Sequence, residues 1–271
     1  MKLFLDTEFL EGSQKTFFGQ SKPTIDLISI GIVSELGDEY YAISKDFNLK
    51  EAWNRYDEKI NDNYKPSFGG GSDGYYNPQY IREYWIRENV LMPIHYELSL
   101  KEANHNLKYE KWRDLITQRE NGNYGDRHFE TLKKLLNKYG KTNAQIAMEV
   151  LNFVHGYNDI GNWLGTLDEY HAAQKKSEPK ELVEFYAYYG AYDWVAFCWL
   201  FGKMIDLPKG LPRYCRDLKQ ILYEKEMARQ DGTDMVELRN LPTYPKQENE
   251  HNALADAKWN YELYKFLQSI K

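Results

Sequence analysis

The run IDLISIGIV at residues 25–33 constrains the fold of this chain more than any other segment. It is almost continuously apolar and rich in β-branched residues, which is typical of a buried strand. The run LFL at residues 3–5 predicts another buried strand, followed by a loop through Pro23. After a turn at residues 36–38, EYYAIS at 39–44 predicts a further strand, antiparallel to 25–33 because the turn is short.

The later part of the chain alternates between helices and one more strand. We predict a helix starting near residue 142, a strand at 182–189, and helices at 192–201, 216–225 and 252–268. Strands that are interleaved with helices in this way indicate an α/β fold with a mixed sheet.

Residues 48–140 do not follow this pattern. The segment at 67–77 contains four glycines and predicts a loop, and a helical stretch lies within 80–96. Residues 98–140 are dense in Lys, Glu, Asn and Arg, which predicts exposed helices around a loop at 121–125. We interpret residues 1–271 as a single domain, with a polar helical and loop insertion at about 48–140.

Charge and cysteine content narrow the class of protein. The net charge of −6 gives no strongly basic surface, but bound cations can supply positive charge that this count omits. Cys198 and Cys215 lack metal-ligand spacing and are expected to be reduced thiols of a cytoplasmic protein. We identify neither a signal-peptide pattern nor an apolar run long enough to span a membrane.

The first chemical motif is DTE, in which Asp6 and Glu8 follow the 3–5 strand. Side chains two apart on a strand point to the same face, so the two carboxylates can reach one hard divalent cation. The simpler alternative is that Asp6 begins a turn and that Glu8 is a solvated loop acid.

Two further motifs place acids at the starts of helices. YGAYD puts Asp193 just after a strand and a small-residue bend, where capping alone would also favour an acid. In HNALAD, His251 and Asp256 cannot share a helix face, so His251 is expected on the preceding loop and Asp256 in the helix. Asp256 lies among small apolar residues, where a lone acid is costly.

These three motifs, in this order, resemble the DEDDh group of 3′-5′ exonucleases. With IDLISIGIV and EYYAIS, the likeness is to the small bacterial and phage exoribonuclease branch related to ribonuclease T, over roughly residues 1–47, 80–96 and 143–270. The chain departs from the group at Tyr188 and Tyr189, where many members carry a His-Asn pair.

The resemblance implies a ribonuclease H-like mixed β-sheet flanked by helices, and two Mg²⁺ or Mn²⁺ ions held by four acids. Those acids are Asp6, Glu8, Asp193 and Asp256. His251 is the implied general base. The implied reaction releases nucleoside 5′-monophosphates from the 3′ end of single-stranded RNA or of 3′ overhangs. Relatives in this branch are dimers, so the resemblance also implies a homodimer.

Four residues beside the motifs are candidates for binding the nucleotide. We expect Thr7 to contact sugar or phosphate, and Phe9, Tyr192 and Trp194 to stack on bases, with core packing as the alternative for each aromatic ring. Three other functions compete with the RNA exonuclease. They are a DNA exonuclease of the same mechanism, a nucleic-acid-binding module whose active site has lapsed, and a structural α/β protein whose acids are caps and turns.

Overall fold

The computed structural model of this chain describes residues 1–15, 21–60, 80–106, 126–155, 183–229 and 237–270. The predictions for 67–77 and 121–125 lie outside these residues. The chain divides into two compact units, Met1–Phe47 with Leu132–Lys271, and Asn48–Thr131. The interpretation of residues 48–140 as an insertion in one domain stays a prediction.

The described elements are as follows. The strands are β1 (Lys2–Lys15), β2 (Ser21–Ser34), β3 (Glu39–Ile43), β4 (Asp57–Ile60), β5 (Tyr80–Glu83), β6 (Glu184–Ala187) and β7 (Arg216–Asp217). The α-helices are α1 (Leu49–Asn54), α2 (Met92–Asn106), α3 (Asp126–Tyr139), α4 (Asn143–His155), α5 (Ala191–Leu200), α6 (Leu218–Ala228) and α7 (Ala253–Ser269). A π-helical segment covers Arg87–Leu91, and short 3₁₀ turns cover Met204–Asp206 and Leu238–Asn240.

The larger unit is built on a mixed five-stranded sheet in the order β3-β2-β1-β6-β7. β1 and β3 pair antiparallel with β2, whereas β6 pairs parallel with β1 and β7 parallel with β6. The predicted α/β class with a mixed sheet flanked by helices is therefore confirmed, including the antiparallel pair at β2 and β3.

Helices cover both faces of this sheet. Alternate residues of β1 point to opposite faces, and apolar side chains on each face are buried against helices. Leu3 and Leu5 pack in one apolar cluster with residues of α4 and α5. Phe4 packs in a second cluster with residues of α6 and α7. Among the described helices, none is both long and apolar enough for a bilayer crossing.

The predicted loop through Pro23 is wrong, because β1 continues to Lys15 and β2 already begins at Ser21. Glu11 pairs with Ile25 and Gly12 with Thr24 in this outer part of the ladder. This outer part of the β1–β2 ladder is held by backbone hydrogen bonds, which form whatever the side chains are. Its sequence therefore lacks the apolar pattern by which a strand could be predicted.

Two of the later sequence predictions need smaller corrections. The segment predicted as a helix from residue 216 begins instead with β7, and α6 starts at Leu218, where the Asp217 carboxylate accepts a hydrogen bond from the Lys219 N–H at 2.7 Å. The helix α3, predicted to be exposed, has a buried stripe that consists of Leu132, Leu135 and Leu136. The lysines of α3 lie on its outer face, so the segment has a polar composition although one side of the helix is apolar.

The smaller unit contains an antiparallel β4–β5 ribbon and a cluster of aromatic rings around Arg87. The Arg87 guanidinium lies 3.7 Å from the ring centroid of Tyr84 and 5.1 Å from that of Trp53, and its Nε donates to the Trp53 carbonyl at 2.6 Å. Cation–π contacts and the hydrogen bond together hold the segment before α2 against α1.

Buried His95 makes this unit sensitive to acid, and we expect His95→Leu to remove part of that sensitivity. Burial, with a smaller contribution from His128, lowers the pKa of His95 from 6.5 to about 4. The unfolded chain therefore binds more protons below pH 6.5, so the stabilising contribution is complete above that pH and is lost as pH falls toward 4. Between pH 7 and 4.5, the free energy of unfolding should fall about 2 kcal/mol less in the variant than in the wild type.

Urea titrations followed by circular dichroism at the two pH values measure this difference. Leu98→Ala, which removes an apolar side chain from the same helix, should destabilise the protein and keep the pH dependence of the wild type. An equal pH dependence in His95→Leu and the wild type would contradict the assignment.

Candidate active site

Two carboxylates project from the central part of β1, as the DTE motif predicts. Asp6 pairs with Gly31 of β2, and Glu8 pairs with Ser29 just before a β-bulge shifts the register between Glu8 and Phe9. Alternation along the strand puts both side chains on one face of the sheet. The bulge interrupts the regular alternation of side chains immediately after Glu8.

Asp193 enters the site from the first turn of α5. The backbone N–H and the hydroxyl of Thr7 both donate to Oδ1 of Asp193, each at 2.8 Å. Thr7 is buried, and both of its donors are directed at this carboxylate. Thr7 therefore positions Asp193, and the expected contact of Thr7 with sugar or phosphate stays a prediction.

Asp256 is held in the first turn of α7 by donors from the loop before that helix. The Gln247 amide donates to Oδ1 at 2.6 Å, and the His251 backbone N–H donates to Oδ2 at 2.8 Å. His251 lies outside the helix, in a left-handed conformation with φ of 68°, and Asn252 caps the helix by accepting from the Ala255 N–H. The prediction of His251 on a loop and Asp256 in the helix is confirmed.

The imidazole of His251 faces Glu8. Its Nδ1 lies 4.0 Å from Oε1 of Glu8, and one ligand atom from each of Glu8, His251 and Asp256 lies within 4.8 Å of the others. This geometry allows His251 to act as a base beside the acids or as a metal ligand together with two of them. The resemblance implies the role of a base, and this role stays a prediction.

The four acids form one electrostatic group. Burial raises the pKa of Asp6 well above its usual range, and the charges of Asp193, Glu8 and Asp256 raise it further. Burial, followed by Asp256 and Asp193, also raises the pKa of Glu8 to about 8. Among the described residues, no lysine or arginine forms an ion pair with any of these carboxylates. Buried like charges of this kind favour a bound cation or a bound proton.

Hydrogen bonds distinguish the two later acids from the two on β1. Burial raises the pKa of Asp193 to about 6, while its hydrogen bonds from Thr7 lower it. Burial also raises the pKa of Asp256, against the lowering effect of its bonds from Gln247 and His251. These donors stabilise the ionised form of each carboxylate and fix its orientation.

Gly31 is a residue that reasoning from the sequence missed. A Cβ placed on it would lie 2.2 Å from the Ala253 carbonyl oxygen and 2.5 Å from the Cα of Leu254. Only a glycine opposite Asp6 therefore lets the start of α7 approach β2 this closely, and that approach brings Asp256 toward the β1 acids. A glycine inside a β-branched run is the signal that could have revealed this close approach.

Asn260 and Gln247 were also missed. Asn260 is buried in α7, and its amide donates to the Leu5 carbonyl at 2.9 Å, which ties the last helix to the strand that carries Asp6. A polar residue on the inner face of a helix is a sequence signal for such a bond. Gln247 lies in an irregular polar segment, where nothing in the pattern distinguishes it from its neighbours.

The aromatic candidates separate into two groups. The rings of Phe9 and Tyr192 stack on each other at 5.6 Å, and Tyr192 is 50% exposed. Trp194 is 8% exposed and packs against Phe185 and Phe197 in the core. The packing alternative therefore describes Trp194, whereas Phe9 and Tyr192 remain beside the acids with a ring surface open to solvent.

The tyrosines that replace the His-Asn pair take different positions. Tyr188 packs edge-to-face on Trp259 at 5.0 Å. Tyr189 is exposed and has a positive φ of 54°, in the turn that leads into α5. Neither residue therefore supplies the imidazole or the amide that many members of the group carry at these two positions.

Comparison with known proteins gives a distant likeness over the whole chain. No family model matches it. Two curated proteins of Mycobacterium tuberculosis, from strains CDC 1551 and H37Rv, are both named 3′-5′ exoribonuclease. Each is 24% identical to this chain over 269 residues, which cover 99% of this chain and 94% of the relative.

Proposed function

We propose that this chain is a metal-dependent 3′-5′ exoribonuclease of the DEDDh type, acting on single-stranded RNA or 3′ overhangs. The observation that carries the proposal is the convergence of Asp6, Glu8, Asp193, Asp256 and His251 around the central part of β1, from β1 itself, the first turn of α5 and the start of α7. The two relatives, which this chain matches over 94% of their length, are named as enzymes with this activity.

The donor set fits hard divalent cations. Carboxylate oxygens are the ligands that Mg²⁺ and Mn²⁺ prefer, and neither thiol belongs to the group of acids. Burial, followed by repulsion from three neighbouring acids, raises the pKa of Asp6, and a bound divalent ion would offset both effects. We assign Asp6, Glu8, Asp193 and Asp256 as the residues that would hold two such ions, with His251 as a further donor within reach of Glu8 and Asp256.

The chain's own residues have separate roles in the proposed reaction. Bound ions would supply an activated water and charge stabilisation for the departing 3′ oxygen. His251 would accept the proton of the attacking water at its Nε2, since Nδ1 faces Glu8. Thr7 and Gln247 would keep Asp193 and Asp256 oriented. Attack on the last phosphodiester releases a nucleoside 5′-monophosphate and leaves a 3′ hydroxyl on the shortened strand.

The test uses 5′-labelled single-stranded RNA and DNA of one sequence. Each strand is incubated with Mn²⁺, with Mg²⁺ or with a chelator, and the products are resolved by length. We expect a metal-dependent RNA ladder that shortens from the 3′ end. Asp256→Asn, prepared in the same way, controls for contaminating ribonucleases and should give no ladder. Full-length RNA in every lane, from a folded protein, would overturn the proposal.

The same experiment decides between the alternatives. Faster shortening of DNA than of RNA would indicate a DNA exonuclease of the same mechanism. A chain that binds RNA but shortens neither strand would indicate a binding module with a lapsed site. A melting temperature that does not rise with Mn²⁺ would favour the structural alternative, because an ion that binds only the native state stabilises it.

We expect His251→Ala to lower turnover by about 10²- to 10⁴-fold, as for the loss of a general base. Affinity for Mn²⁺, measured by isothermal titration calorimetry, should be largely retained if the histidine acts only as a base. A matching loss of Mn²⁺ affinity would mean that His251 is instead a ligand with Glu8 and Asp256, which their distances allow.

A further inference from the structure

One face of α5 is exposed and aromatic. Tyr192 is 50% exposed, Val195 37% and Trp199 48%. Residues three, four and seven apart lie on the same side of a helix, so the three side chains form one stripe, which we call the α5 stripe. Tyrosine and tryptophan are enriched at binding surfaces, because each combines a large apolar ring with a polar group, so two such rings in line on one helix form a candidate contact surface.

The opposite side of α5 holds the helix firmly in place. It packs into the core through Trp194, Phe197 and Cys198, all of them buried. The stacked rings of Trp194 and Phe197 lie 4.9 Å apart. The stripe is therefore presented on a rigid support, which reduces the ordering cost of binding.

The stripe begins at the proposed site. Tyr192 precedes Asp193 in the chain, and its ring stacks on Phe9, the residue after Glu8. Trp199 lies seven residues farther along the helix, about 10.5 Å from Tyr192 along the axis. Stacked bases are spaced about 3.4 Å apart, so this distance equals about three base intervals.

We propose that Trp199 is a stacking platform for an upstream base of the RNA strand whose 3′ end lies at the acids. This inference rests on the proposed function and extends it from the terminal nucleotide to the path of the strand. Tyr192 would contact the strand near its 3′ end, and Trp199 would contact a base about three intervals upstream.

Chemistry and area favour a nucleic-acid strand over a second copy of the chain. Every base has a π-face, so aromatic rings bind single strands without regard to sequence. The two half-exposed rings of the α5 stripe together offer about 200 Å², whereas a standard protein interface buries about 800 Å² on each partner. The α5 stripe is narrow, which suits a strand lying along the helix.

The experiment compares a dinucleotide with a hexanucleotide. A dinucleotide spans one base interval and cannot reach Trp199 from the acids, whereas a hexanucleotide can. We expect Trp199→Ala to raise the Kd of a labelled hexanucleotide about tenfold, measured by fluorescence anisotropy in chelator, and to raise its KM with Mn²⁺ similarly. Dinucleotide turnover should not change, and Trp199→Phe should restore most of the hexanucleotide affinity.

Tyr223→Ala is the matched control. Tyr223 is 51% exposed on α6, a helix that packs on the other face of the sheet, so its loss should leave both substrates unaffected. Equal hexanucleotide binding by Trp199→Ala and wild type, with normal shortening of RNA, would overturn this inference alone. A wild-type chain that shortens no RNA would overturn the proposed function instead. A change in molecular mass by light scattering in Trp199→Ala would identify a second copy as the partner and also overturn the inference.

Discussion

Asp6→Asn is expected to abolish metal-dependent shortening of RNA while leaving the chain folded. The amide keeps the shape of the carboxylate but loses the negative charge that holds a divalent ion. The ion contributes several kcal/mol of charge stabilisation, so turnover should fall at least about 10³-fold. Without metal the variant should melt no lower than the wild type, because burial and three neighbouring acids disfavour the Asp6 charge.

Two measurements check this expectation, a gel assay of 5′-labelled RNA and a melting curve with and without Mn²⁺. The rise in melting temperature caused by Mn²⁺ should shrink in the variant. Glu11→Gln is the control, since Glu11 is an exposed acid on the same strand. Near-normal turnover by Asp6→Asn would contradict the assignment of the metal site. Asp256→Asn provides an independent substitution with the same expected loss.

Gly31→Ala should destabilise the protein and inactivate it together. The new Cβ would meet the Ala253 carbonyl oxygen at 2.2 Å, and backbone atoms at this distance have no flexible end that can move aside. Either β2 or the start of α7 must shift. Overpacking of this kind costs about 1–3 kcal/mol or more in the free energy of unfolding. The same shift moves Asp256 away from Asp6, so turnover should fall more than the loss of folded protein explains.

Urea denaturation and turnover per folded molecule separate the two effects. Gly37→Asn is a suitable control, because Gly37 has a positive φ in the turn after β2 and a Cβ there meets nothing within 4 Å. Asparagine tolerates this backbone better than most residues, so its cost should be smaller. If Gly31→Ala were as stable and as active as Gly37→Asn, the proposed role of this close approach would be wrong.

The parts of the fold that bury apolar side chains could be predicted from the sequence. β2, β3, α4 and α5 follow their apolar patterns closely, and the position of α7 follows from the HNALAD motif. Asp256 stood out because a lone acid among small apolar residues needs a counter-charge. The candidate site residues could therefore be identified from the motifs, even though these residues lie far apart in the chain.

The rest depended on interactions that leave no periodic pattern. The outer arm of β1 and β2 and the short β7 are held by backbone hydrogen bonds, to which any residue type can contribute. The bond of Gln247 to Asp256 and the two bonds of Thr7 to Asp193 are contacts across the fold, and a single sequence cannot specify them. For Trp194, base stacking and core packing could not be separated from the sequence, because buried and exposed aromatic residues both occur along α5.

The bond between Asn260 and the Leu5 carbonyl joins residues separated by 255 positions. The last helix of the larger unit thus docks directly on its first strand, and this contact also brings Asp256 to Asp6. Contacts of such long range require closure of a loop of 255 residues, which costs conformational entropy before the contact can stabilise the fold. During synthesis, a chain whose α7 has not yet emerged from the ribosome lacks Asp256 at the group of acids. The proposed site can therefore be assembled only after translation has passed Asp256.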